Sequence, residues 1–377
     1  MFGKRITLFR LLGFEVRVDL SWLVLALLVT WSLADGLFPN YYEGLARTTY
    51  WWMGVIGAIF FFVSILFHEF CHSLVARRFG LPMRGITLFI FGGVAEMDNE
   101  PPSPKVEFFM AIAGPISSII LGTVFYGVAW LMKESAATIA VEGVLTYLAA
   151  INWILAAFNL LPAFPLDGGR ILRAALWQRK KSLRKATRIA SRIGSGFGIV
   201  MMLIGVVNFL YGRFIGGLWQ FMIGMFLRSA ADMSYRQVLF RTRLEGETVK
   251  RFMNPRPVTA RPSITIRELV DEYFNHYHFK MFPVMEGETL LGFITTRHVK
   301  AIPQEDWGQK TIAESVESIS TENTVSPDTT VLEALSIMSR TGNSRLLVVE
   351  GYRLAGIITL KDVIGYVTAQ MELEEKE

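Results

Sequence analysis

A chain of 377 residues that is 52% hydrophobic and 13% aromatic but only 19% charged, with a mean hydropathy of +0.37, is too apolar for an ordinary water-soluble enzyme. Its net charge of +5 would suit a nucleic-acid partner, but the basic residues sit in short segments between apolar runs, the distribution of membrane topology, so no nucleic-acid partner is expected. A single cysteine, Cys71, excludes an intramolecular disulfide framework.

In chain order, the opening segment MFGKRITLFRLLGFEVRVD is too long and too charged for the start of a cleavable signal, so the first apolar run is expected to be retained. Six runs approach the roughly 20 apolar residues that cross a bilayer. They are 20–39, 51–76, 106–132, 138–163, 193–211 and 214–233. Lys and Arg gather in alternate connections, leaving only Arg47, Lys133 and Arg213 on the other side. The positive-inside rule then places both termini in the cytoplasm of a multi-pass cell-membrane protein. Segment 85–96, GITLFIFGGVAE, is β-prone around Gly92-Gly93 and is expected to form a cytoplasmic-side hairpin. Gly114-Pro115 is expected to kink the third span, and the basic stretch 170–192 reads as a topogenic loop facing lipid headgroups.

Past about residue 245 the pattern changes to short strands and helices with an internal repeat. PVTARPSITIRELVDEYF near 257 matches NTVSPDTTVLEALSIM near 323, and LLGFITTRHV near 290 matches RLAGIITLKDV near 353. The expected organisation is a polytopic α-helical membrane domain over 1–233, a joining segment over 234–247, and an α/β soluble domain of two similar modules over 248–304 and 310–370.

The second span carries His68-Glu69-Phe70-Cys71-His72. Positions i and i+4 of a helix share one face, so the two imidazoles can grip one Zn²⁺ while Glu69 lies beside the attacking water. Such an ionisable cluster inside an apolar span is costly and points to function. A catalytic zinc needs a third protein ligand, yet His276, His278 and His298 all lie in the soluble tail, so a carboxylate is required. Asp167, before Gly168-Gly169 at the end of the fourth span, supplies one. Depth agrees: His68 and His72 are about 9–15 Å from the Arg77-Arg78 end of their span at 1.5 Å per residue, and Asp167 lies beside Arg170. Cys71 points elsewhere on the helix and reads as a packed thiol. Asn152 reads as interhelical glue.

The HEFCH segment together with Asn159-Leu-Leu-Pro-Ala-Phe-Pro-Leu-Asp167-Gly-Gly, supported by Ala113-Gly114-Pro115, Phe91-Gly92-Gly93 and the opening LLGFEVRVDLSW, resembles the site-2 protease family of intramembrane zinc metalloproteases. The resemblance implies Zn²⁺ on His68, His72 and Asp167, Glu69 as general base, and cleavage of a transmembrane or membrane-associated protein substrate near the cytoplasmic side. It also implies substrate contacts from Asn159 and from the Phe91, Gly92, Gly93 segment. The tandem repeat resembles a pair of cystathionine-β-synthase (CBS) modules, which implies a homodimer contact and a regulatory adenine nucleotide, ATP, ADP or AMP, held through Thr359 and Asp362 and through Thr295. His298 stands where the second module has Asp362, so the ribose carboxylate is missing from the first module. A CBS-regulated metal transporter and an inactive scaffold are the competing classes. The non-ligand Glu69 argues for hydrolysis over both.

Overall fold

The computed structural model describes residues 5–81, 83–89, 92–97, 100–132, 138–351 and 353–374, which divide into two compact units, one ending at Val238 and one beginning at Leu239. In the first unit, β1 (Arg5–Leu11) and β2 (Phe14–Asp19) form an antiparallel hairpin through Leu12-Gly13. Both loop residues have positive φ, 48° and 89°, as a two-residue hairpin loop requires. Asp19 accepts a hydrogen bond from the Ser21 amide at 2.9 Å where α1 (Ser21–Trp31) begins. A π-helical stretch, Ser32–Leu37, carries α1 into α2 (Phe38–Tyr41).

The long α3 (Arg47–Arg78) leads to the antiparallel pair β3 (Met83–Phe89) and β4 (Gly92–Met97). Next come α4 (Pro104–Leu131), α5 (Ile139–Asn159), α6 (Asp167–Lys180), α7 (Leu183–Leu210) and α8 (Phe214–Leu244). Ser103 caps α4 by accepting from the Val106 amide, with Pro104 at the first helical position. Among the described residues, five helices are long and apolar enough to cross a membrane: Ser21–Tyr41, Arg47–Arg78, Pro104–Leu131, Ile139–Asn159 and Leu183–Leu210. The sixth expected run is helical within α8 but is not among them. Gln220 and Arg228 dilute its apolar character.

Strand order is β1-β2-β3-β4, with β2 and β3 parallel and the other pairs antiparallel. The expected hairpin over 85–96 is therefore the β3–β4 half of a larger sheet. The opening segment, for which no strand was expected, supplies the other half, and Phe91 lies outside the described residues. Phe14, Val16, Val18, Ile86 and Leu88 are buried on one face of the sheet, against Phe62, Ile65 and Phe70 of α3. The basic stretch 170–192 is not a loop. It forms most of α6 and the first turns of α7, broken where Lys181 turns left-handed (φ 54°) and Ser182 caps α7.

The second unit holds two similar halves. In the first, α9 (Ile266–Glu268), a π-helical stretch Leu269–Phe274 and α10 (Asn275–Tyr277) precede the hairpin β5 (Met281–Glu286) and β6 (Thr289–Thr295) and then α11 (Thr296–Lys300). In the second, β7 (Thr324–Val325), α12 (Val331–Thr341), β8 (Arg345–Glu350), β9 (Arg353–Thr359) and α13 (Leu360–Glu374) repeat the plan. Packing cuts across the sequence repeat because the halves exchange their leading segments. Val249 and Phe252, at the start of the first half, are buried in the core of the second, and the Val249 amide donates to Thr329 O at 2.9 Å. Ile312 is buried in the core of the first, donating to Ile264 O at 3.0 Å. The halves also share a core of Met281, Leu290 and Phe293 with Leu347 and Ile357. The segment 234–247, expected only to join the two parts, is helical as far as Leu244.

Candidate metal centre

His68 and His72 lie one turn apart on α3 and are buried, 3% and 8% exposed. Asp167 is the first residue of α6, where the helix dipole favours a carboxylate, and it too is buried. Although almost a hundred residues of chain separate them, the three polar tips converge. Asp167 Oδ2 is 3.0 Å from His68 Nε2 and 3.2 Å from His72 Nε2, and the two Nε2 atoms are 3.2 Å apart. Among the described residues this is the one cluster of His, Cys, Asp and Glu whose ligand atoms could hold a metal ion.

Both imidazoles are held from behind by α4. His68 Nδ1 is 2.9 Å from Ser118 Oγ, and His72 Nδ1 is 2.6 Å from Met110 O. Because Met110 O can only accept, His72 carries its proton on Nδ1 and turns an Nε2 lone pair into the cluster. Gly114, expected only to kink its helix, lies between those two partners against the imidazole tips. A Cβ there would overlap Nε2 of both His72 and His68.

Glu69 occupies the next position on α3 and faces β4. A Cβ on Gly93 would lie 2.7 Å from Glu69 Cγ and 3.4 Å from its carboxyl carbon, so glycine is what lets the strand pass this close. Cys71 is half-buried and is not one of the converging groups.

The connection ahead of Asp167 packs tightly on the start of its own helix. Side chains at Gly168 or Gly169 would collide with the backbone of Leu160, Leu161 and Phe164. Deeper in α6, buried Arg173 donates through Nε to Glu107 of α4 at 2.5 Å and through Nη2 to Glu100 at 3.0 Å, while its guanidinium lies 5.0 Å from the Phe164 ring centre. Arg173 thus ties α6 to α4 and braces the connection that delivers Asp167. None of Ser118, Met110 O or the Arg173 cluster was singled out from sequence. Only Glu107 carried a signal, as an acidic residue at the start of an apolar run.

Asn152 donates to Ser64 Oγ of α3 at 3.0 Å and to Leu148 O at 2.8 Å, joining α5 to α3 one turn from His68. Asn159 donates to Leu155 O of its own helix at 3.0 Å. Gly92 and Gly93 pair with Phe89 and Leu88 across the β3–β4 hairpin.

In the second unit, Thr359 Oγ1 donates to Asp362 Oδ2 at 2.6 Å and accepts from the Asp362 amide at 3.2 Å. The first half differs at this point. His298 Nδ1 accepts from the Thr295 amide at 3.2 Å, and its Nε2 lies 2.9 Å from Glu317. That imidazole is already committed on both sides.

The model of peptidase family M50 matches residues 56–203, a stretch that contains the whole converging cluster, and the CBS domain model matches residues 249–304 and 316–369. Zinc metalloprotease MJ0392 of Methanocaldococcus jannaschii is 31% identical over 375 residues, 98% of each chain. The chain belongs to peptidase family M50. This M50 protein is also 33% identical over 362 residues to a Mycobacterium tuberculosis protein named as zinc metalloprotease Rip3, covering 95% of this chain and 91% of that one. The solved site-2 protease from M. jannaschii aligns with 61% of this chain over 94% of its own length, at 28% identity and a TM-score of 0.43. This chain is a multi-pass membrane zinc metalloprotease of the site-2 type joined to a CBS pair.

Proposed function

We propose that this M50 protein hydrolyses a peptide bond of a membrane-spanning or membrane-associated protein inside the bilayer, with His68, His72 and Asp167 as zinc ligands and Glu69 as general base. The carrying observation is the convergence of two imidazole nitrogens and one carboxylate oxygen with edges of 3.0–3.2 Å. Tetrahedral zinc with ligand bonds of about 2.0–2.1 Å separates neighbouring ligand atoms by about 3.3 Å, so this donor set fits the ion with little movement. Zinc held there supplies Lewis-acid polarisation of the scissile carbonyl and acidifies water.

The remaining work falls to the chain. Glu69 takes the proton of the attacking water and returns it to the leaving nitrogen. Ser118 and Met110 O hold the imidazole tautomers and ring planes. A helical substrate satisfies its own carbonyls, so it must unwind locally before hydrolysis. β4 is an edge strand of the sheet, and an extended substrate segment can add to it beside Gly92 and Gly93, bringing its backbone past Glu69. Asn159 is proposed as a further backbone contact, and Phe91, which lies outside the described residues, is proposed as another.

The distribution of Lys and Arg favours α8 as a sixth span with both termini in the cytoplasm, which puts the metal centre and the hairpin on the cytoplasmic side. The CBS pair is proposed to bind an adenine nucleotide in its second half, where Thr359 and Asp362 offer a hydroxyl and a carboxylate, and to form a homodimer. Thr295 belongs to a first half whose His298 is occupied by Glu317.

The test is cleavage of a panel of single-span substrates by the full-length protein and by Glu69→Gln, with zinc quantified in both. Loss of cleavage with zinc retained supports the reading. Undiminished cleavage by Glu69→Gln refutes the role of the base.

A further inference from the structure

The β1–β2 hairpin has two chemically distinct faces. Opposed residues of an antiparallel pair point the same way, and the register sets Ile6 opposite Val18, Phe9 opposite Val16 and Leu11 opposite Phe14. The β2 members of these pairs are buried, at 7%, 1% and 3% exposure, against the sheet's helical neighbours. Their β1 partners continue the same apolar face outward, yet they stand 54%, 45% and 42% exposed. Leu12 at the loop is 61% exposed. On the opposite face, Thr7 is set against Arg17 and Arg10 against Glu15, with Glu15 bound by both Arg10 and Arg17. Those two guanidiniums hold the Glu15 carboxyl below the usual range, Arg17 contributing most.

Two observations fix what lies next to the overhanging face. Its inner neighbours pack on Phe62, Ile65 and Phe70 of α3, a helix long and apolar enough to span the membrane, and α1 starts two residues after β2 with lipid-type exposure at Val24 and Leu27. The loop is also tied to a helix end: Arg77, in the basic pair that closes α3, donates to Leu12 O at 2.6 Å and lies 4.8 Å from the Phe14 ring centre. Basic residues at the end of a span sit among lipid headgroups. The overhang is therefore level with the boundary between headgroups and acyl chains, with its polar face turned to water.

From this we infer that Ile6, Phe9, Leu11 and Leu12 seat the hairpin in the lipid of the leaflet where α3 ends, so that β1 is an interfacial anchor for the whole sheet. Amphipathic segments with one apolar and one basic face enter this boundary in the same way. The functional consequence follows from strand order. β1 is one edge of the sheet and β4, which stands against Glu69, is the other. Pinning β1 at headgroup level fixes the depth at which β4 meets the metal centre. The inference rests on the membrane embedding of the helices and not on the peptidase chemistry.

The test places single cysteines in a Cys71→Ala background of the full-length Glu69→Gln protein, whose lack of the base makes the result independent of hydrolysis. Phe9→Cys and Leu12→Cys report the apolar face and Thr7→Cys the polar one. Each carries a small fluorophore, in nanodiscs of phosphatidylcholine and phosphatidylglycerol. Labels at 9 and 12 should lose more fluorescence to lipids brominated high on the acyl chain than to aqueous iodide, and the label at 7 should show the reverse. Iodide quenching at 9 and 12 would overturn the anchor. So would shielding from both quenchers, which would mean that protein, a second copy or a bound segment, covers the face. Ile6→Cys repeats the reading at the other end of that face, so loss of one variant does not leave the question open.

Discussion

Gly114→Ala adds one methyl group against both imidazoles of the proposed metal centre. The new Cβ would meet Nε2 of His72, Nε2 of His68 and, at 2.6 Å, Cε1 of His72. Carbon atoms pack at about 3.5–4.0 Å, so either α4 retreats or the imidazoles swing by about 1 Å. Zinc sites tolerate roughly 0.2 Å in ligand distance, so a displacement of that size removes at least one nitrogen from the coordination sphere. Loss of an outer partner alone weakens zinc sites by about 10–100-fold, and displacement of the ligands themselves should reach or pass the upper value, about 2.8 kcal/mol. Helix stability argues the other way, since alanine is better than glycine in a helix by about 1 kcal/mol. The expected signature is thus weak zinc binding by chelator competition and no cleavage, with only a small loss in thermal stability of the metal-free protein, because the helix gain offsets part of the cost of about 1–3 kcal/mol for the crowding. Gly127→Ala on the same helix, where a Cβ meets nothing within 4 Å, should leave zinc binding unchanged. Native zinc affinity and cleavage in Gly114→Ala would refute the reasoning.

Ser118→Ala should weaken zinc about 10–100-fold through loss of the His68 partner, whereas Ser117→Ala, whose hydroxyl bonds Gly114 O at 2.7 Å, should not. Chelator competition on both variants checks this, and equal affinities would remove Ser118 from its role. Arg173→Met leaves Glu107 and Glu100 without their shared cation and should destabilise the membrane unit by about 3–5 kcal/mol, read as earlier thermal unfolding in detergent. Adding Glu107→Gln should recover part of that loss. Asp362→Ala should abolish adenine-nucleotide binding measured by calorimetry on the full-length protein while zinc content stays native; unchanged binding would move the nucleotide elsewhere.

The convergence at the candidate metal centre was legible because it is written in local spacing. His68 and His72 must share a helix face once α3 is recognised as a span, and with the other histidines in the tail a carboxylate had to complete the set. Asp167 was placed by its neighbours in sequence, and the structure brings it to both histidines. What supports those residues left no such mark. Ser118 and Met110 O matter only because α4 packs against α3, a tertiary fact that one serine and a backbone carbonyl do not announce, and Gly114 stood out only as a kink and a motif glycine, not as a neighbour of the imidazoles. Strands β1 and β2 escaped notice because the apolar residues of β1 stand about half exposed rather than in a core and the bulge between Thr7 and Phe9 breaks its alternation. In the tail, self-similarity revealed two modules, yet it could not show that Val249 and Ile312 would each be buried in the other half, since a repeat fixes equivalence and not partnership.

The central claim is that His68, His72 and Asp167 together hold the catalytic zinc. X-ray absorption at the zinc edge of the full-length Glu69→Gln protein tests it most directly, with Asp167→Ala alongside. The account predicts one zinc per chain, only nitrogen and oxygen neighbours at about 2.0–2.1 Å with the outer scattering of two imidazoles, and loss of the ion in Asp167→Ala. A sulfur neighbour at about 2.3 Å, which Cys71 would supply, or zinc retained unchanged in Asp167→Ala, would contradict it.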